Sequence, residues 1–160
     1  MKPREVIRII VLTTIGGMAM FLGQKLVYEN QIVPIQQIPV DAWLNSNYNT
    51  AAMVMFLASI IPTLIWYISA ARSRFNDGSA TPRWRLLWWL LGIIPMLTIG
   101  VAVFYINRSS EAQLSLIFFF LLDAIWLYWL PTATSSPEGV KYIPPLAFLL
   151  RYKLLGDFID

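Results

Sequence analysis

The sequence predicts an all-α membrane protein with four transmembrane helices, both termini on the cytoplasmic side, and a short amphipathic helix at the C-terminus. Three observations predict it. Of 160 residues, 58% are hydrophobic and only 13% are charged. A soluble domain averages about 45–50% apolar and about 25% charged residues, so this chain is too poor in charge to cover a soluble surface, and lipid is the natural solvent for the excess. The apolar residues gather into four runs of about 20 residues, the length that a helix rising 1.5 Å per residue needs to cross roughly 30 Å of hydrocarbon. The basic residues concentrate in alternate connections between those runs.

The first span is expected over about 6–28, with an apolar centre from Ile9 to Gly23, flanked by Lys2, Arg4 and Arg8 before and Lys25 and Glu29 after. A secretory leader has a similar opening. The stretch Gly23-Gln24-Lys25-Leu26-Val27-Tyr28 lacks a small-x-small cleavage site, which favours an uncleaved signal anchor. The remaining spans are expected over about 48–71, 86–106 and 112–130, so that residues 1–130 form one four-helix domain and 131–160 a cytoplasmic-side tail. Pro62 and Pro95 fall inside the second and third spans. Each removes a backbone hydrogen bond and favours a kink, which membrane helices tolerate when neighbours satisfy the freed carbonyl.

Trp43, Tyr48, Trp66, Tyr67, Trp84, Trp88, Trp89, Tyr105, Trp126, Tyr128 and Trp129 mostly fall near span ends. Amphipathic rings favour headgroup level, so anchoring is the expected role, with pigment or quinone contact as the alternative. Gly16, Gly17 and Gly23 in the first span, and Gly92 and Gly100 in the third, permit close helix approach. That approach is expected within the bundle rather than between two copies.

Orientation follows from charge. With the N-terminus inside, the inner segments hold Lys2, Arg4, Arg8, Arg72, Arg74, Arg83, Arg85, Lys141, Arg151 and Lys153, and the outer ones only Lys25 and Arg108. The positive-inside rule then puts both termini on the cytoplasmic face, which in a thylakoid is the stromal face.

The connections carry the candidate contact surfaces. Outer loop 29–47 mixes Ile32, Val33, Ile35, Ile38, Val40, Trp43 and Leu44 with Pro34 and Pro39. The prolines oppose a continuous helix before Pro39, and the segment is expected on the outer membrane surface or against a neighbouring protein. The inner loop brings together Arg72, Arg74, Phe75, Arg83, Trp84 and Arg85, with a turn at Asp77-Gly78. It fixes topology and touches anionic headgroups, or docks on an acidic partner, with arginine–ring contacts beside Phe75 and Trp84. The outer turn 107–111 is short, which makes the third and fourth spans antiparallel neighbours; its Asn107-Arg108-Ser109 matches a glycosylation sequon that hugs the membrane. In the tail, 131–139 is polar and turn-rich. After Pro145, suited to a first helical position, Leu146, Leu149, Leu150, Leu154 and Phe158 recur at helical spacing, with Arg151 and Lys153 among them. This segment, 145–159, is too short and too charged to span. It is expected to lie in the inner interface or to dock in a partner's groove, with Leu149, Arg151, Lys153, Leu154 and Phe158 as contact residues.

Asp123 is the one acid inside a span. Measured from Leu130 it lies roughly 10 Å from the inner end, and a central aspartate costs about 2.5–3.5 kcal/mol on insertion scales. Three readings compete: a hydrogen bond within the bundle to Thr13, Thr14, Ser59 or Thr63; a cation, lipid or pigment metal on a partner subunit; and a proton or ion relay, which normally needs a chain of ionisable groups. Arg8 is the nearby charge that could reach down to pair with it.

The chain has no cysteine and no histidine. That excludes disulfides, thiol chemistry, cysteine- or histidine-ligated zinc or iron–sulfur sites, histidine-ligated haem, and the commonest general base near neutral pH. Asp77-Gly78 has no second aspartate at the spacing of the CDP-alcohol transferases. No catalytic residue, metal ligand or intrinsic cofactor is expected; lipid or pigment at an interface is. The overall style resembles the small membrane proteins of cyanobacteria, which implies a photosynthetic or respiratory complex as its home. Arg74-Phe75-Asn76-Asp77, Trp88-Trp89 and Pro95 are similar to a widespread family of small bacterial inner-membrane proteins, over less than a quarter of the chain and with no activity implied. The expected function is therefore a non-catalytic accessory, assembly or stabilising subunit among lipids and other integral subunits, with no nucleic acid and no soluble substrate. The alternative is a small oligomeric transporter, channel or lipid-binding protein that uses Asp123.

Overall fold

A computed structural model describes residues 3–72, 81–107 and 111–151. Within them four helices are long and apolar enough to cross a membrane: α1 Pro3–Glu29, α2 Val40–Arg72, α3 Pro82–Ile106 and α4 Gln113–Ser135. No strand occurs among the described residues. A single 3-10 turn at Glu138–Val140 and a short helix, α5 Ala147–Leu150, follow α4.

α2 and α4 form the shared centre of the bundle. α3 runs along α2 and α4 on one side, and α1 along α4 and α2 on the other. One end, rich in arginine, gathers the start of α1, the end of α2, the start of α3 and the end of α4. There Tyr67 Oη lies 3.1 Å from Glu5 Oε2. The opposite end carries the 30–39 loop. Two cores follow this division. Near the loop end, Met20, Tyr28, Trp43, Tyr48, Met55, Leu116 and Phe120 pack together, with Tyr28 4.9 Å from Trp43 and 5.4 Å from Tyr48 between ring centres. Near the arginine-rich end, Trp66, Trp88, Leu91, Tyr128 and Val140 form the second.

Several tryptophans thus leave the expected belt. Trp43, Trp66 and Trp88 are buried, because each indole N–H finds an acceptor inside: Asn107 Oδ1 at 3.0 Å, Ser136 Oγ at 2.8 Å and Thr132 Oγ1 at 3.0 Å. A buried ring with a satisfied polar edge is stable in a core. Trp89, Tyr105 and Trp126 do face outward.

All four long helices contain a wide turn with i→i+5 hydrogen bonding, at Ala19–Gln24, Leu44–Tyr48, Val101–Ile106 and Ile125–Trp129. Such turns insert a residue and rotate everything beyond them. That is why Gly16 and Gly23, seven apart and on one face of a regular helix, part company. Gly16 is buried against Leu127 and Trp126, whereas a Cβ on Gly23 would meet nothing within 4 Å. Gly17 abuts Phe56 and Gly92 abuts Tyr128, both within the chain.

Helix limits also differ from the sequence reading. α2 starts at Val40 rather than 48, since Pro39, extended at ψ 132°, ends the loop and the chain winds directly after it. α4 continues through Pro131 to Ser135 rather than stopping at 130. The wide turn at Ile125–Trp129 already interrupts the ladder, so regular winding resumes with the proline in its first turn, where a missing N–H costs little. Residues 131–135 are buried, not a polar surface tail. The 145–159 segment is helical at Ala147–Leu150, after Leu146 in the left-handed region; from 152 onward it lies outside the described residues. Part of segment 29–47 packs inward, and Ile32 stays exposed. Ile35, Trp43 and Leu44 enter the first core, with Val33, Ile38 and Val40 packed against it.

Candidate functional site

Asp123 is buried, 4% exposed. Gln24 Nε2 donates to both of its oxygens, at 2.9 Å each. Gln24 is itself held by Tyr48, whose hydroxyl lies 2.6 Å from the Met20 carbonyl oxygen and 3.2 Å from Gln24 Oε1. Two wide turns serve this arrangement. Ala19–Gln24 supplies both the Met20 carbonyl and the Gln24 amide, and Leu44–Tyr48 supplies the hydroxyl.

Antiparallel register explains the pairing. Arg8 meets Thr134 near one end of the α1–α4 pair, and Tyr28 Oη lies 2.9 Å from Ser115 Oγ near the other. Between these contacts Asp123 faces the Ala19–Gln24 turn. The partners expected from depth are therefore not used. Thr14 is exposed and Thr13 half-buried, further down α1. Ser59 donates to the Met55 carbonyl at 3.0 Å, and Thr63 lies 2.9 Å from the Ser59 and Leu127 carbonyls. Back-bonding of this kind is the usual outlet for a hydroxyl inside a helix. The depth expectation failed because α4 is five residues longer than its sequence reading, which moves Asp123 away from the arginine-rich end. Arg8 does not reach Asp123 either; its guanidinium donates to the Thr134 carbonyl. Gln24 was legible only as an amide within an otherwise apolar helix, and its place beside Lys25 disguised it as part of the span's edge.

The C-terminus of α4 is a second polar centre. Its last carbonyls have no helical partner and carry the negative end of the helix dipole. Arg8 caps Thr134, and Arg151 donates from Nε to Ala133 O at 3.0 Å and from Nη2 to Ser136 O at 2.7 Å. Trp129 Nε1 donates to Pro145 O at 2.9 Å, strapping the tail to α4. Arg151, expected to meet a partner, is buried in this cap. The other expected contact residues divide. Arg72, Arg83, Arg85 and Leu149 are exposed; Trp84 is half-buried, edge-on to Trp66 at 5.8 Å. Arg74, Phe75, Lys153, Leu154 and Phe158 lie outside the described residues.

At the loop end, Glu111 Oε1 accepts the backbone N–H groups of Gln36 at 3.2 Å and Gln37 at 2.7 Å. Asn107 accepts from Trp43 and donates to the Glu111 carbonyl at 2.6 Å. That sequon asparagine is buried and presents no acceptor amide for glycosylation.

Among the described residues two concave surfaces bear on function. An apolar groove of about 290 Å³ runs between α3 and α4, lined by Trp88, Trp89, Gly92, Ile93, Met96, Ala124, Ile125, Tyr128, Trp129 and Pro145. A smaller hollow of about 140 Å³ lies at Arg85 and 138–143. Among the described residues no cluster of acidic side chains could hold a metal ion, and every buried side-chain nitrogen or oxygen has a hydrogen-bond partner. Compared with protein-family models, curated proteins and solved structures, the chain matches none.

Proposed function

We propose that this chain is a non-catalytic accessory subunit that stabilises or assembles a larger membrane protein complex, in a bacterial inner membrane or a thylakoid, with its arginine-rich end and both termini on the cytoplasmic or stromal side. The observation that carries this reading is the internal saturation of the bundle. The described residues leave no buried side-chain polar atom over to hold a substrate or line a path, and Asp123 is occupied by Gln24. Recognition then falls to the surface, where Arg72, Arg83 and Arg85 stand exposed at one end. The charge asymmetry of the connections supports the orientation.

Gentle extraction followed by a native gel and mass spectrometry tests it. The expected result is migration in a large defined complex, whose other chains identify it as photosynthetic, respiratory or otherwise. Arg72→Ala with Arg83→Ala should release the subunit while leaving it folded. Migration alone, or as a small homo-oligomer, would overturn the proposal and bring forward transport or lipid binding.

A further inference from the structure

The groove between α3 and α4 and the hollow beside it are two parts of one surface. On α3, Arg85 stands three and four residues before Trp88 and Trp89, which places it one turn above the groove's mouth on the same side of the helix. On the tail, Lys141 and Tyr142 line the hollow and Pro145 lines the groove. Val140 and Ile143 pack into the core between them, fixing hollow and groove relative to each other.

The dimensions suit one leaflet. From Trp88 to Met96 a helix rises about 12 Å, close to half of a hydrocarbon layer of roughly 30 Å. The groove's volume of about 290 Å³ sits at the lower edge of ordinary small-ligand sites, about 300–1,000 Å³. Its walls are aromatic and aliphatic. Gly92, whose added Cβ would come within 2.9 Å of the Tyr128 ring, lets that ring lie close and keeps the floor open.

Charge selects the occupant. The hollow at the mouth holds Arg85 and Lys141 against one acid, Glu138. Lys141 Nζ lies 4.9 Å from the centre of the Tyr142 ring, and Arg85 is exposed. A cationic mouth over an apolar trough of one-leaflet length complements an anionic headgroup with an acyl chain beneath it.

We infer that this surface is a binding site for an anionic phospholipid of the leaflet at the arginine-rich end, its phosphate at Arg85 and Lys141 and one acyl chain along Trp89, Ile93, Met96 and Ile125. The site is independent of the accessory role, since a lipid can be held by a solitary chain as well as by a subunit.

The test reconstitutes the full chain in nanodiscs of equal phosphatidylglycerol and phosphatidylcholine, releases it into mild detergent and counts retained lipids by native mass spectrometry. Phosphatidylglycerol should be retained in preference. Each basic residue near the surface contributes about fivefold, so Arg85→Ala should cut the preference about fivefold, and Arg85→Ala with Lys141→Ala further, while Arg85→Lys keeps it. Ile93→Trp, which fills the trough, should lower retention of both lipids; Leu114→Trp, exposed at the other end, should not. Thermal unfolding in the same detergent confirms that each variant is folded, and Met96→Phe replaces Ile93→Trp if that variant is not. Equal retention of the two lipids, indifference to the charge substitutions, or indifference to the filled trough would each overturn the inference.

Discussion

Gln24 and Asp123 lie 99 positions apart and meet across 2.9 Å, one amide nitrogen facing both carboxyl oxygens. The contact joins the first long helix to the last in the middle of an apolar bundle. Tyr48 completes it from α2, so three helices share one polar point.

This geometry makes the two substitutions at the latch non-additive. Gln24→Leu leaves a buried carboxyl without its donor and should cost about 2–4 kcal/mol. Asp123→Leu alone leaves the amide unsatisfied and should cost about 1–3 kcal/mol. Replacing both removes polar groups together and should be less destabilising than Gln24→Leu alone. Equilibrium unfolding in mixed micelles gives all three values, and a double variant as unstable as the sum would refute a paired latch.

Gly16 and Gly23 should respond oppositely. A Cβ at Gly16 falls 2.5 Å from Leu127 Cδ2 and 2.6 Å from Trp126 Cδ1, so Gly16→Leu should destabilise by about 1–3 kcal/mol through overpacking. Gly23→Ala meets open space and should be neutral or stabilising by up to about 1 kcal/mol, because alanine favours the helix. Melting temperatures of the two variants separate the predictions.

Glu111→Ala should loosen the 30–39 loop without opening the bundle. The carboxyl holds two backbone amides, and its loss should cost about 1–3 kcal/mol locally. Hydrogen exchange reads this directly: the amides of Gln36 and Gln37 should exchange faster while those in the middle of α2 stay protected. Faster exchange throughout α2 would mean that Glu111 supports the whole fold.

Arg151→Ala should free the tail. Two charge-assisted bonds to the α4 terminus are lost, about 2–3 kcal/mol, and limited proteolysis should cut within 137–146 sooner than in the parent chain. Truncation after Lys141 therefore disturbs the fold as well as any partner contact. Substitutions at Arg72 and Arg83 are the cleaner probe of docking.

Composition and apolar run length made the four helices legible, because lipid-compatible length is a property of the sequence itself. Helix limits were harder. Pro131 reads as a stop when the helix is taken as regular, yet it follows a wide turn that accommodates it. The same turns shift the phase along each helix, which is why seven-residue spacing grouped Gly23 with Gly16 and depth alone paired Asp123 with threonines. Asp123 was conspicuous as the lone acid in a span; Gln24 was not, because an amide carries no charge to mark it. Arg151 looked like a surface cation until the unsatisfied carbonyls of Ala133 and Ser136 were placed beside it.

A chain is made from its N-terminus onward, and the latch joins the first long helix to the fourth. Until α4 is synthesised, the amide of Gln24 has no carboxyl to meet, and α1 and α2 can only wait with a polar gap between them. Closure at Asp123 thus waits for the fourth long helix. A fragment ending before α4 keeps the Gln24 amide beside Tyr48 but leaves its N–H donors without the carboxyl they meet in the whole bundle.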